Sequence, residues 1–121
     1  MKRIFIILAM LMAITGIQAQ KISHIEATRS WYYVYDDNGK KVHTFSTTQG
    51  EVVAYSDSFY IVKHGSWYYT YDAKGKKLYT FSVSNVGEVL NAAGDTFTSR
   101  KGSWIYTWDK KGKKIATRSA H

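Results

Sequence analysis

The chain has 121 residues, a net charge of +8 from 17 Lys and Arg against nine Asp and Glu, and neither Cys nor Pro. That length bounds it to one small domain, and the lack of Cys excludes both disulfide staples and a lipid anchor on an N-terminal cysteine. Aromatic residues make up 16% of the chain, so stability must come from burying large side chains or from oligomerisation.

Met1-Lys2-Arg3 is a short positive segment, and Ile4 to Ile17 is an apolar run interrupted only by Thr15 and Gly16. Ala19 then offers a small residue for cleavage. This is the pattern of a secretory signal peptide over residues 1–19, and the run falls short of the ~20 apolar residues of a spanning helix. The expectation is an exported protein, periplasmic or extracellular, with no integral membrane span after cleavage. A single β-repeat domain would cover residues 20–121. Without Lys2 and Arg3 it carries 15 basic and nine acidic residues, a net of +6.

Ile22 to Thr28 reads as a strand. After it, the segment SWYYVYDDNGKKVHTFS from Ser30 recurs as SWYYTYDAKGKKLYTFS from Ser66 and as SWIYTWDKKGKKIATRS from Ser103. Self-similarity at a fixed period marks stacked supersecondary units, here over about residues 21–47, 48–83 and 84–121. Trp31 to Tyr35 is wholly aromatic or β-branched, the composition strands prefer. Asp36-Asp37-Asn38-Gly39 supplies a turn: the Asp accepts backbone N–H bonds and the Gly takes the left-handed conformation. The same holds for Asp72-Ala73-Lys74-Gly75 and Asp109-Lys110-Lys111-Gly112. A type I turn closed by such a Gly gives a hairpin with a bulge. Alternation from Asp36 opposite Lys40 predicts one face carrying Trp31, Tyr33, Tyr35, Phe45, His43 and Lys41. The other face would carry Val34 with Val42. In the second unit the aromatic face would hold Trp67, Phe81, Tyr69, Tyr79, Tyr71 and Lys77, and in the third Trp104, Arg118, Tyr106, Ala116, Trp108 and Lys114.

Shorter strands lie between the hairpins. Gly50 to Tyr55 and Phe59 to Val62 flank a turn at Ser56-Asp57-Ser58, and Gly87 to Leu90 and Thr96 to Thr98 flank one at Ala92 to Asp95. The sequence thus predicts an all-β fold, an antiparallel meander of about 11 short strands in repeated four-stranded units, with the first unit incomplete. Four strands per ~40 residues is the signature of a propeller blade. Three units fall short of the ~4–8 blades of a closed ring, so the unit array is either a partial propeller or open; two chains would supply six.

Gly65-Ser66-Trp67-Tyr68-Tyr69 and Asp72-Ala73-Lys74-Gly75-Lys76 resemble the cell-wall-binding, choline-binding-type repeats of Gram-positive surface proteins. The phrasing is also similar to that of other aromatic β-hairpin repeat proteins of bacterial envelopes, propeller-like ones included. The first resemblance implies stacked hairpins whose aromatic side chains cage choline or wall polymers. Trp31, Trp67 and Trp104, with Tyr33, Tyr69 and Tyr106, would be the ligand-binding candidates. Two features depart from that family: the period is nearly double its own, and the Gly-Trp that closes each of its repeats is missing.

The same aromatics read equally as the packed core between units. Lys41, Lys77 and Lys114, just past the turns, are candidates for contacting anions such as phosphorylated glycans, or they protect sheet edges. Export argues against nucleic acid as a partner. His24, His43 and His64 lack metal-site spacing. Tyr79 and Ala116 stand where His43 does, so no metal or cofactor is expected. Glu51 and Glu88 recur through repetition, without the surroundings of a glycosidase pair. Because each unit repeats the same groups, the chain is expected not to be an enzyme. The expected function is a non-catalytic binding module of the bacterial envelope, contacting glycan or an anionic polymer. The alternative is a structural or interaction protein that homo-oligomerises or takes up a protein partner at exposed strand edges.

Overall fold

The computed structural model describes Lys21–Ala120. The signal peptide expected over residues 1–19 lies outside the described residues. Eleven strands form three antiparallel sheets. The first contains β1 (Ile22–Ala27), β2 (Trp31–Asp36) and β3 (Lys41–Ser46). The second contains β4 (Glu51–Tyr55), β5 (Tyr60–His64), β6 (Trp67–Tyr71) and β7 (Lys77–Ser82). The third contains β8 (Glu88–Ala93), β9 (Thr96–Lys101), β10 (Trp104–Asp109) and β11 (Lys114–Ser119). Strand order follows the chain within each sheet. A 3-10 turn (Thr47–Gln49) and a one-turn helix α1 (Val83–Val86) carry the chain from sheet to sheet. Strands β1, β2 and β3 occupy the places of β5, β6 and β7, so the first unit is the incomplete one, as its sequence indicates. Strand β8 runs to Ala93 and β9 to Lys101, longer than the sequence suggests, because the tight Gly94-Asp95 turn leaves Ala92 and Ala93 free to pair.

The three long hairpins share one turn chemistry. The Oδ1 atoms of Asp36, Asp72 and Asp109 each accept two backbone N–H bonds across the turn, at 2.8–3.2 Å. Gly39, Gly75 and Gly112 each take a positive φ. The expected bulge is present, and it reassigns the faces. Tyr35 lies opposite Lys41 as predicted, but the register then shifts, so that Val34 pairs His43, Tyr32 pairs Phe45 and Trp31 pairs Ser46. The second and third hairpins shift at the same place. One extra residue on the returning strand moves every later side chain to the opposite face. Trp31, Tyr33 and Tyr35 therefore share a face with Lys41 and Thr44, while Phe45 and His43 join Tyr32 and Val34. The single aromatic face expected from alternation is in fact divided between a Trp face and a Phe face.

That division explains the stack. The Phe face of each sheet packs on the Trp face of the next. Between the first two sheets, Ile22, Val34 and Phe45 meet Tyr60, Val62 and Ala73. Between the second and third, Phe59, Ile61, Tyr68, Phe81 and Val86 meet Phe97 and Trp108. Strand β5 lies in the middle sheet and serves both interfaces, which is why Tyr60, Ile61 and Val62 are all buried. Phe45 stacks on Tyr60 with centroids 5.2 Å apart, and Phe81 meets Phe97 edge-on at the same distance. Polar contacts add to the apolar ones. The Thr70 hydroxyl donates to the Lys110 carbonyl at 2.7 Å, and the Ile22 N–H donates to the Asp57 carbonyl at 2.7 Å. The Ser56 hydroxyl donates to the Gly94 carbonyl, and the Ser58 hydroxyl lies within hydrogen-bond distance of both that carbonyl and the Asp95 carboxylate. Asp95 accepts from Ser58 and pairs with Lys110 at 3.0 Å, and these partners hold its carboxyl below the usual range.

Candidate functional site: a repeated Trp, Tyr and Lys cluster

Each unit presents the same three candidates together. Trp31, Trp67 and Trp104 open β2, β6 and β10. Tyr33, Tyr69 and Tyr106 follow two residues later, on the same face. Lys41, Lys77 and Lys114 open the returning strands, and the bulge aims each back over its tyrosine. The Nζ atoms lie 4.3, 4.8 and 4.3 Å from the ring centroids of Tyr33, Tyr69 and Tyr106. Lys114 also reaches the Trp108 ring, at 5.6 Å. An exposed cation–π contact of this kind contributes about 0.5–1 kcal/mol; here it fixes the position of a long cationic side chain.

Burial falls along the strand from the hairpin turn toward the tryptophan. Trp108 is buried in the core, its indole N–H donating to the buried Ser99 hydroxyl at 2.9 Å. Tyr71 is half-buried and stacks on Tyr60, and burial raises the pKa of its phenol. The middle tyrosines, Tyr33, Tyr69 and Tyr106, are half-buried. The tryptophans are exposed: Trp31 by 46%, Trp67 by 48% and Trp104 by 49%. Trp31 belongs to the first sheet, whose Trp face has no neighbouring sheet among the described residues, yet it is no more exposed than the other two. Exposure at this position is therefore set by the place along the strand and not by the end of the stack. The aromatic ladder is core at its turn end and surface at its Trp end.

The remaining sequence candidates fall elsewhere. His43 and Phe45 lie on the Phe face, with rings 5.8 Å apart, and burial lowers the His43 pKa against a smaller opposing effect of Asp72. Glu51 and Glu88 stand directly across from Lys63 and Arg100, which accounts for their recurrence as cross-strand charge partners. Among the described residues no cluster of three or more His, Cys, Asp or Glu is placed to hold a metal ion. No helix among them is long and apolar enough to cross a membrane.

Sequence reading missed a groove of about 500 Å³ between β1, β4 and β8, lined by Ile25, Tyr32, Glu51, Val52, Tyr55 and Leu90 among others. None of the Trp, Tyr or Lys candidates lines it. Its signal in the sequence is the incomplete first unit, because among the described residues β1 has no partner strand in the place that β4 and β8 take in their own sheets. No protein-family model matches the chain, and comparison with curated proteins finds no match either. The resemblance to cell-wall-binding repeats rests on the quoted segments alone.

Proposed function

We propose that this is an exported, non-catalytic binding module of the bacterial cell envelope, which holds an anionic glycan or related polymer along its row of tryptophans. The observation that carries the reading is the threefold recurrence of a half-exposed Trp beside a Tyr covered by a Lys ammonium. A side chain as large as Trp gains most from full burial, so three left half-open at equivalent positions favour an external partner. An indole face stacks on the apolar face of a sugar ring, and a neighbouring ammonium supplies charge for a carboxylate or phosphate. A choline-type ligand is the weaker fit. Its quaternary ammonium would have to displace lysines that already occupy the tyrosine faces.

The test is tryptophan fluorescence during titration with neutral and anionic envelope polysaccharides and with choline. Trp108 is buried, so any response comes from the three exposed indoles. Anionic polymers should shift the emission, salt should weaken the response, and Trp67→Ala should reduce it while the far-UV spectrum stays unchanged. A flat titration across the whole panel overturns the proposal.

A further inference from the structure

The two ends of the stack depart from its interior in matching ways. Inside, Phe45 and Phe81 meet Tyr60 and Phe97 of the following sheet. In the third sheet the Phe position is Arg118, which pairs Ile105 as Phe81 pairs Tyr68. In the first sheet the position of Tyr60 and Phe97 is His24, opposite Tyr35. The position of Val62 and Ser99 is Glu26, opposite Tyr33. The aromatic contact at the centre of both internal interfaces thus gives way to Arg118 at one free end and to His24 at the other, where the Glu26 carboxylate lies 3.4 Å from the His24 ring. Around that centre the free Phe face stays apolar. Val42 and Leu78, at the hairpin bulge, pack into the internal interfaces; their counterpart Ile115 is 50% exposed. Val53 packs the same way, and its counterpart Leu90 is 47% exposed. Leu90 lines the groove beside β4, but a face built only to end the stack would not keep Ile115.

Two smaller features point the same way. Thr107 keeps the hydroxyl position that Thr70 uses to reach the Lys110 carbonyl, and the first hairpin's counterpart of Lys110 is Asp37. The turn glycines Gly75 and Gly112 are covered by His43 and Tyr79 of the preceding sheet, whereas no described residue lies within 4 Å of the place a Cβ on Gly39 would take.

We propose that the protein associates head to tail with a second copy. The Trp face of one copy's first sheet seats on the Phe face of the other's third sheet, with Arg118 of one copy set over the His24–Glu26 pair of the next and drawn to its carboxylate. The contact is heterologous, so it propagates the internal packing rule across chains and closes into a ring or continues as an array according to the rotation per unit. This goes beyond the glycan reading and stands on different residues.

The test is sedimentation velocity over a wide concentration range, on the full chain expressed with its own leader. Reversible, concentration-dependent association is expected. Arg118→Glu and Glu26→Arg should each weaken it about tenfold or more, since like charges then face each other. Both side chains are exposed, so the variants should fold. The double charge reversal should restore association. A chain that stays monomeric throughout, association indifferent to either reversal, or a double variant no better than the singles would each overturn the proposal. Association that survives a flat glycan titration separates this inference from the binding reading.

Discussion

Substituting Gly75 with Ala tests the packing between sheets directly, because the molecule carries its own control. Gly39 and Gly75 occupy the same turn position, at φ +79° and +86°. An L-residue there costs about 1–2 kcal/mol in either turn. They differ in surroundings. A Cβ at Gly39 meets no described residue within 4 Å, while one at Gly75 overlaps the His43 imidazole of the preceding sheet. That ring is half-buried and lies 5.8 Å from Phe45, so it must swing out and give up its contacts. Overpacking of this kind costs about 1–3 kcal/mol. Gly39→Ala should therefore destabilise by about 1–2 kcal/mol and Gly75→Ala by about 2–5 kcal/mol, combining these two costs. Urea unfolding monitored by circular dichroism measures both. Combining Gly75→Ala with His43→Ala should recover part of the loss, as a coupling of about 0.5–3 kcal/mol in a double-mutant cycle. If Gly39→Ala and Gly75→Ala cost the same, within about 0.5 kcal/mol, then the turn of one sheet does not rest on the ring of the one before it, and the stacking argument fails.

Phe81→Ala should cost about 3–5 kcal/mol by the same unfolding assay, because the ring is buried against Phe97 and Trp108. Trp67→Ala should cost far less, and equal losses would contradict the division between core and surface. Ser99→Ala leaves the buried Trp108 indole N–H without its acceptor, a penalty of about 1–3 kcal/mol, visible as a lowered urea midpoint with an unchanged slope. His43 is held below its ordinary pKa by burial, so below pH 6.5 the unfolded chain takes up more protons at this site than the folded one. Its contribution to stability is full above about pH 6.5 and is lost as pH falls from there through the folded pKa. His43→Tyr, which copies Tyr79, should flatten the thermal-midpoint profile between pH 7 and 5; an identical profile in both proteins would refute the assignment.

Turn chemistry was the most legible part of the fold. Asp36, Asp72 and Asp109 with their glycines announce three hairpins, and the strands follow from the aromatic and β-branched runs between them. The candidate clusters were legible too: Trp31 with Tyr33 is a same-face pair at any register, and Lys41 lies opposite Tyr35 on either side of the bulge. What strict alternation could not give was the face of Phe45. The bulge was expected from the turn, but its effect on every residue beyond Val42 depends on where the extra residue sits, and that is decided by burial against a neighbouring sheet. Tyr32 and Tyr68 are hidden as core residues for the same reason. They are aromatic residues in an aromatic run, and only the packing of Phe45 and Phe81 beside them separates the core pair from the exposed Trp.

The end positions carry information that the repeat consensus hides. Comparing Phe45, Phe81 and Arg118 by sequence alone suggests decay of the third copy, as does comparing His43, Tyr79 and Ala116. The geometry gives the comparison a different meaning. A repeat that had simply decayed would lose its apolar periphery along with its aromatic centre, yet Ile115 persists at the free Phe face. At the opposite end of the stack Glu26, 3.4 Å from His24, takes the position where Val62 and Ser99 stand inside. Net charge sharpens the point: in a chain this basic, an acidic residue placed on an aromatic face is the less expected substitution. The departures from the repeat therefore fall where a neighbouring sheet would touch, and their signs are opposite at the two ends.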